Sequence, residues 1–353
     1  NARLDTLTVK TPDARDVEPE YIAATNTQAY VTLQENNAVA TLDLASGTFT
    51  RVQSLGTIAQ RVDASDRDGP GGGTAANVDD VVHGLPMPDT IKVFTRGGTT
   101  YYVTANEGDA RIDDGDIGRA STLPIDQTDN GDGDLIYGGG DVTNAGIGRL
   151  DILRDQGDLD GDGLIERPTM MGTRSFTVWN AETGSIAFDS GSMIEDYVVA
   201  NDVATHGINA GNLANFDTRS DAKGPEIEAL EFASFNGRDF VFIGAERQNG
   251  IFQFDVTDLG NVFISGYYNP VTATDDSGGA FISPESIYFI AAADNPTGKN
   301  LVVVGFEGTG GNGSIAVFEV AIPEPSAAAG LAGLGALGLA LLRRRRRAAV
   351  LSR

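Results

Sequence analysis

The stretch Pro225-Glu226-Ile227, followed by Phe240-Val241-Phe242-Ile243-Gly244-Ala245-Glu246 and Gly250-Ile251-Phe252-Gln253-Phe254-Asp255, sets the fold class. Two short runs rich in β-branched and aromatic residues follow a proline and an acid, with turn residues between them. That is the grammar of adjacent antiparallel strands. The same grammar recurs at Pro19-Glu20-Tyr21-Ile22, Ala29 to Glu35 and Ala38 to Asp43, and again at Pro284-Glu285-Ser286-Ile287, Leu301 to Glu307 and Ser314 to Glu319. A looser copy runs Pro88-Asp89-Thr90-Ile91 and Tyr101 to Glu107, with its third strand delayed to Ser175–Asn180. Helical periodicity is scarce and glycine abundant, at 45 residues. The chain reads as all-β, and repeats of this size predict a β-propeller with about four blades visible. A two-sheet sandwich is the competing arrangement.

Propeller geometry makes a further prediction. The acid that opens each first strand and the acid that closes each second strand belong on one face. Glu20, Glu35, Asp89, Glu107, Glu226, Glu246, Glu285 and Glu307 are therefore expected together. The insertion 108–173 and the long loops Gly56–Gly84 and Ser190–Gly224 are expected to emerge there too. Capping of turns and contacts with backbone amides is the structural alternative for each acid. Asp109, Arg111 and Arg247 sit beside these acids in Asn106-Glu107-Gly108-Asp109-Ala110-Arg111 and Glu246-Arg247. Asp63-Ala64-Ser65-Asp66-Arg67-Asp68-Gly69 adds loop carboxylates. Carboxylates holding a cation beside arginines suit either phosphate binding with water activation or structural ion pairing. The sequence contains no Gly-x-Ser-x-Gly elbow, and its two histidines, His83 and His206, have no evident nucleophile partner.

Metal chemistry is most legible at Asp158-Leu159-Asp160-Gly161-Asp162-Gly163-Leu164-Ile165-Glu166. Oxygen donors at positions 1, 3 and 5 and glycine at 6 make the front half of an EF-hand loop. Thr169 stands where the bidentate glutamate would be, so Glu166 is the expected closing ligand. The expected ion is Ca²⁺, held by Asp158, Asp160, Asp162 and Glu166. Asp126 to Asp134 has similar composition and poorer spacing. Cysteine is absent, so no disulfide staples the chain, and bound calcium is the expected substitute. With only two histidines, histidine-rich metal chemistry is not expected.

The last 33 residues form a separate segment, 321–353. Pro323-Glu324-Pro325 precedes Ser326 to Leu342, 17 residues of Ser, Ala, Gly and Leu, and then Arg343, Arg344, Arg345, Arg346 and Arg347. As a helix the apolar stretch spans roughly 25 Å, slightly less than the ~30 Å hydrocarbon core. The arginines belong on the cytoplasmic side, which leaves residues 1–320 outside. The tail carries six of the 25 basic residues and one of the 50 acidic ones, so residues 1–320 hold 19 against 49, a balance of −30. Such a surface repels nucleic acid and anionic lipid and attracts cations. Asn1 opens on polar residues with no export signal, so a missing N-terminal segment is expected.

This tail resembles the PEP-CTERM sorting signal of Gram-negative exopolysaccharide producers. The resemblance implies cleavage near Pro323–Pro325 by an exosortase, after export, and at least transient anchoring in the envelope. Residues 17–320 resemble the choice-of-anchor I family. The matching runs are Glu18 to Ala23, Ala29 to Asn37, Asp63 to Gly69, Thr104 to Arg111, Gly172 to Phe176, Lys223 to Glu226 and Phe242 to Arg247. The resemblance implies an exported, propeller-like β domain with variable C-terminal anchors, and family chains usually hold further blades before the segment matching Glu18. Some relatives carry alkaline-phosphatase-like labels, but no catalytic set transfers. This chain has Pro-Glu-Ile-Glu where Pro-Glu-Pro-Glu is common, and a shortened acidic stretch at Ile112–Thr122.

The expected function is a calcium-stabilised binding or structural module of the cell surface or its matrix. Its candidate partners are exopolysaccharide, a phosphorylated small molecule, the export machinery and, through the tail, the membrane. The alternative is a calcium-dependent phosphoesterase using the acidic loop face. Whether the chain is an enzyme stays open at this point.

Overall fold

A computed structural model describes residues 17, 19–109, 115–127, 137, 141–275, 278–309 and 312–320. Strands dominate, in six sheets. The first unit is a meander of β1 (Pro19–Ala24), β2 (Gln28–Leu33), β3 (Ala38–Asp43) and β4 (Thr48–Ser54). Next come β5 (Ile58–Val62) and β6 (Asp80–Leu85), then β7 (Ile91–Arg96) and β8 (Thr99–Ala105). Inside the insertion lie β9 (Ile117–Arg119), β10 (Asp151–Leu153) and β11 (Thr169–Met171). The second unit then resumes with β12 (Phe176–Asn180) and β13 (Ile186–Asp189), so that it reads β7-β8-β12-β13 in space. Helix α1 (Met193–Asn201) follows, with Glu195 and Asp196 in its first turn, where the helix dipole favours them. The third unit is β14 (Ile227–Phe235), β15 (Arg238–Ala245), β16 (Gly250–Asp255) and β17 (Phe263–Tyr268). The fourth is β18 (Pro284–Ile290), β19 (Leu301–Thr309) and β20 (Asn312–Glu319).

The four units stack through their first strands. β7 packs against β1 and against β14, and β14 packs against β18. The interfaces are apolar and aromatic. Phe94 of β7 stacks on Phe232 of β14 at 4.3 Å, and Phe235 of β14 stacks on Phe289 of β18 at 5.1 Å. Parallel-offset rings of this kind add about 0.5–1.5 kcal/mol each beyond area burial. β15 reads as a continuous apolar run because it is central in its sheet and its last six residues are buried on both faces. No closed ring of blades is formed by the described residues.

Two segments expected to be loops carry regular structure. Within Gly56–Gly84, β5 and β6 pair antiparallel, and β11 from the far end of the insertion adds to β6 in parallel. Ile58-Ala59-Gln60-Arg61-Val62 alternates only weakly, and the third strand of its sheet, β11, comes from the far side of the insertion, so no local pattern announced the sheet. Likewise, Ser190–Gly224 contains α1. The insertion folds over its own core of Ile147, Leu150, Ile152 and Met170 against Val62 and Val82.

Among the described residues no helix is long and apolar enough to cross a membrane. Residues 321–353, which contain the expected apolar helix and the sorting residues, lie outside them.

Candidate carboxylate site

The second strands end at Gln34, Glu107, Glu246 and Glu307, within two residues of β2, β8 and β15 and inside β19. The first strands begin beside them, and three carry a β-bulge at their start. The bulge falls between Pro19 and Ile22, between Ile227 and Ala229, and between Pro284 and Ser286. A bulge inserts an extra residue and re-aims its side chain. Those extra positions hold Glu20, Glu228 and Glu285. Register therefore makes Glu228, not Glu226, the counterpart of Glu285, which corrects the alignment on proline. Backbone pairing decides equivalence, and the chain takes two more residues after Pro225 before the ladder begins.

Glu107, Glu228 and Glu246 each bring a carboxylate oxygen within 4.8 Å of the others, and so do Glu246, Glu285 and Glu307. Two oxygen triads thus share Glu246 and draw on units two, three and four. The first unit joins through Gln34, whose Nε2 donates to Glu107 Oε2 at 2.8 Å. Burial pushes Glu228 far above the ordinary glutamate range, and the charge of Glu246 pushes it the same way. A hydrogen bond with Glu285 further favours its protonated form. Burial and then Glu226 raise Glu246, with Arg247 opposing them. Like charges brought this close cannot all ionise without a cation.

Basic side chains border the triads. Lys223 Nζ is 2.7 Å from Glu107 Oε1, 3.0 Å from Glu226 Oε2 and 3.8 Å from the half-exposed Asp109. Arg247 lies 3.0 Å from Glu246 and 3.5 Å from Glu226, and Arg219 also pairs with Glu226. Glu226 is fully buried, which alone would raise its pKa; Lys223, Arg219 and Arg247 outweigh this and lower it. It is an ion-pair hub rather than a member of either triad. Glu20 is exposed and close enough for its charge to raise Asp89, which is buried at the same end. Glu35 is buried in the turn after β2 and belongs to neither triad. Arg111 lies outside the described residues. Sequence reading missed Glu228, Lys223 and Arg219; the second acid of Pro-Glu-Ile-Glu was the available signal for Glu228.

The EF-hand-like segment forms a second oxygen cluster. Asp158, Asp160, Asp162 and Glu166 place one oxygen each within 4.8 Å of one another. Asp158 Oδ1 accepts from Gly161 N at 2.6 Å, Asp158 Oδ2 from Gly163 N at 3.1 Å, and Asp162 Oδ1 from Leu164 N at 2.7 Å. Gly161 and Gly163 sit at φ +89° and +95°, a left-handed path that lets the loop wrap its own carboxylates. Glu166 is buried; its Oε2 accepts from Leu159 N at 2.7 Å and its Oε1 has no hydrogen-bond partner. Most of the Asp126–Asp134 segment lies outside the described residues.

An all-β chain of stacked units that meet in a carboxylate-rich end defines an acidic β domain. The chain belongs to the choice-of-anchor I family, whose domain matches residues 3–259, and residues 321–347 match the PEP-CTERM protein-sorting motif. It is therefore an exported bacterial protein, sorted to the cell envelope or surface by an exosortase. The fourth unit lies beyond the family match. Gigasin-3a of Magallana gigas is 29% identical over 189 residues, 49% of this chain and 64% of that relative's length. Among solved structures, an alpha-L-arabinofuranosidase of Podospora anserina in complex with cellotriose overlaps with 10% identity and a TM-score of 0.35. It covers 88% of this chain and 67% of that one. A GH43 protein of Bacillus licheniformis overlaps with 12% identity and a TM-score of 0.25, covering 86% and 52%. At such scores neither carries an argument about this chain.

Proposed function

We propose that residues 1–320 form a calcium-stabilised, propeller-like array of blades that works as a binding module at the outer surface or in the polysaccharide matrix of a Gram-negative cell. The apolar tail holds it in the membrane until the exosortase acts. The observation that carries this reading is the pair of oxygen triads sharing Glu246, contributed by three different units. Hard carboxylate oxygens at adaptable spacing suit Ca²⁺. A calcium ion there would link neighbouring units, relieve repulsion among their acids and leave open positions for hydroxyl or carboxylate groups of a matrix polysaccharide. The Asp158–Glu166 loop supplies a second calcium site inside the insertion, with the unpartnered Glu166 Oε1 as its buried ligand.

The test is melting and polysaccharide co-sedimentation of the full chain, with calcium and with chelator. Calcium is expected to raise the melting temperature and to bring the protein down with acidic polysaccharide, and Glu246→Gln is expected to lose both effects. Identical melting with calcium and with chelator sinks the reading.

A second reading, a calcium-dependent phosphoesterase, is favoured by Lys223 and Arg247 beside the triads, since fixed cations next to a bound metal suit a phosphoryl group. Chelator-sensitive turnover of phosphomonoesters, lost in Glu107→Gln, would select it over the binding module.

A further inference from the structure

Asp63, His206 and Asp217 reach one another from three separate segments: the end of β5, the turn after α1 and the loop that follows it. All three are buried, Asp63 and Asp217 completely. One ligand atom from each lies within 4.8 Å of the other two, and His206 Nε2 is 2.7 Å from Asp63 Oδ2. The backbone is shaped for this approach. A Cβ at Gly207 would fall 2.6 Å from Ser220 Oγ and 2.7 Å from Asp217 Cα, so only glycine fits beside His206.

The charge balance is incomplete. Arg174 Nη1 pairs with Glu195 Oε1 at 2.8 Å, one positive charge against one negative. Two buried carboxylates then face a single imidazole. With both carboxyls ionised, a proton on His206 would cancel only one of them, and a buried uncompensated charge is strongly unfavourable. Unpartnered oxygens point the same way. Glu195 is 3% exposed, its Oε2 has no hydrogen-bond partner, and it lies within electrostatic reach of both His206 and Asp63. Asp68, within electrostatic reach of His206 and Asp217, has a buried Oδ1 that is also unpartnered.

We propose that Asp63, His206 and Asp217 bind a divalent first-row transition ion, zinc being the best match, with Asp68 as the nearest further carboxylate. Two oxygens and an imidazole nitrogen are a zinc donor set, whereas calcium takes oxygen alone. The dication cancels both buried carboxylates and needs His206 neutral. Outer contacts already orient the ligands. Asp217 Oδ1 accepts from Ser220 Oγ at 2.7 Å and its Oδ2 from Ala75 N at 3.1 Å; Asp63 Oδ2 accepts from Asn77 N at 3.0 Å. The role is structural. The ion ties the β5–β6 segment to the stretch after α1, and Arg174 extends the tie by donating to the carbonyls of Ser220 and Ala222, next to Lys223. The site thereby braces the loop that delivers Lys223 to the carboxylate end.

The test uses the purified full chain, stripped with chelator and reloaded with Zn²⁺ alone, with bound metal counted by elemental analysis. Wild type is expected to hold one zinc that excess calcium does not displace, and Co²⁺ in its place is expected to give a visible ligand-field spectrum. Asp217→Asn and His206→Gln are expected to lose the metal. Ser220→Ala, which removes an orienting hydroxyl, is expected to weaken binding about 10-fold. If His206→Gln does not fold, Asp217→Asn and the cobalt spectrum of wild type decide. Wild type without zinc, zinc retained by both ligand variants, or displacement by calcium would each overturn the proposal and leave a hydrogen-bonded Asp–His pair.

Discussion

Lys223 Nζ stands 2.7 Å from Glu107 Oε1, joining residues 116 positions apart. The contact closes the chain around the whole insertion and fixes the segment after α1 onto the second unit. Lys223 is 15% exposed by side chain, and Glu226, its other close partner, not at all. Burial disfavours the ammonium, but Glu226 and Glu107 outweigh burial and raise its pKa. A raised lysine contributes its full stability below the unfolded lysine value and loses it only as pH rises through the folded one. The bridge is therefore constant across neutral pH. Lys223→Met is expected to cost about 3–5 kcal/mol, because Glu107 loses its buried cation and Glu226 keeps only Arg219 and Arg247. Denaturant unfolding at pH 7 measures it; a loss within the ~0–1 kcal/mol of an exposed pair would contradict the assignment.

Asp89 gives a pH dependence of the same sense in a lower window, one that reaches into neutral pH. Burial first, then the charges of Glu107, Glu20 and Glu285, push its carboxyl up to about 8, with a hydrogen bond from Thr90 opposing them. Between the unfolded value of 3.8 and about 8 the folded chain holds a proton that the unfolded chain has lost. Stability therefore falls as pH rises through that window, by about 1.4 kcal/mol per unit at most. In chelator, Asp89→Asn is expected to flatten the slope of unfolding free energy between pH 5 and pH 8 (roughly the interior of that window). An unchanged slope would assign the dependence elsewhere.

Glu228→Gln separates stability from cation binding. Replacing a carboxyl that burial and Glu246 hold in its protonated form with a neutral isostere removes the cost of taking up that proton on folding. The chelated variant is expected to be more stable than wild type by about 1–3 kcal/mol at pH 7. Its calcium-induced rise in melting temperature is expected to shrink, since one triad loses a ligand. A full calcium response in this variant would remove Glu228 from the site.

In the insertion, Asp160→Asn and Glu166→Gln are expected to reduce the calcium bound per chain at equilibrium dialysis while the shared-triad response persists. Glu166→Gln should have the larger effect, because its carboxylate is the buried member of the cluster. Equal calcium in wild type and both variants would make this loop a hydrogen-bonded turn.

At the tail, replacing Pro323, Glu324 and Pro325 with alanine is expected to accumulate uncleaved precursor in the membrane fraction. Deleting 323–353 is expected to release the domain from that fraction. Immunoblotting of cell fractions reads both, and unchanged fractionation with the deletion would count against sorting through this segment.

Strand-forming runs such as Phe240–Ala245 and Leu301–Phe306 were legible because short-range pattern dictates them: β-branched and aromatic side chains alternate with turn residues within a few positions. The resumption of the second unit at Phe176 was legible for the same reason, as was the oxygen spacing from Asp158 to Glu166. Which acids share a cluster was less legible. Glu228 was hidden by the match between Pro225-Glu226 and Pro284-Glu285, and only the pairing of Ile227 with Ala245 moved the equivalence by two residues.

The sequence by itself thus determined the all-β class, the repeated unit, the acidic character and the sorting tail, since each is written in local pattern or composition. Tertiary structure alone decided that Lys223 meets Glu107, that β11 completes the β5–β6 sheet and that His206 meets Asp63 and Asp217. Those contacts join segments many tens of residues apart. Nothing in local spacing encodes them, because they exist only once packing has brought distant backbone into register.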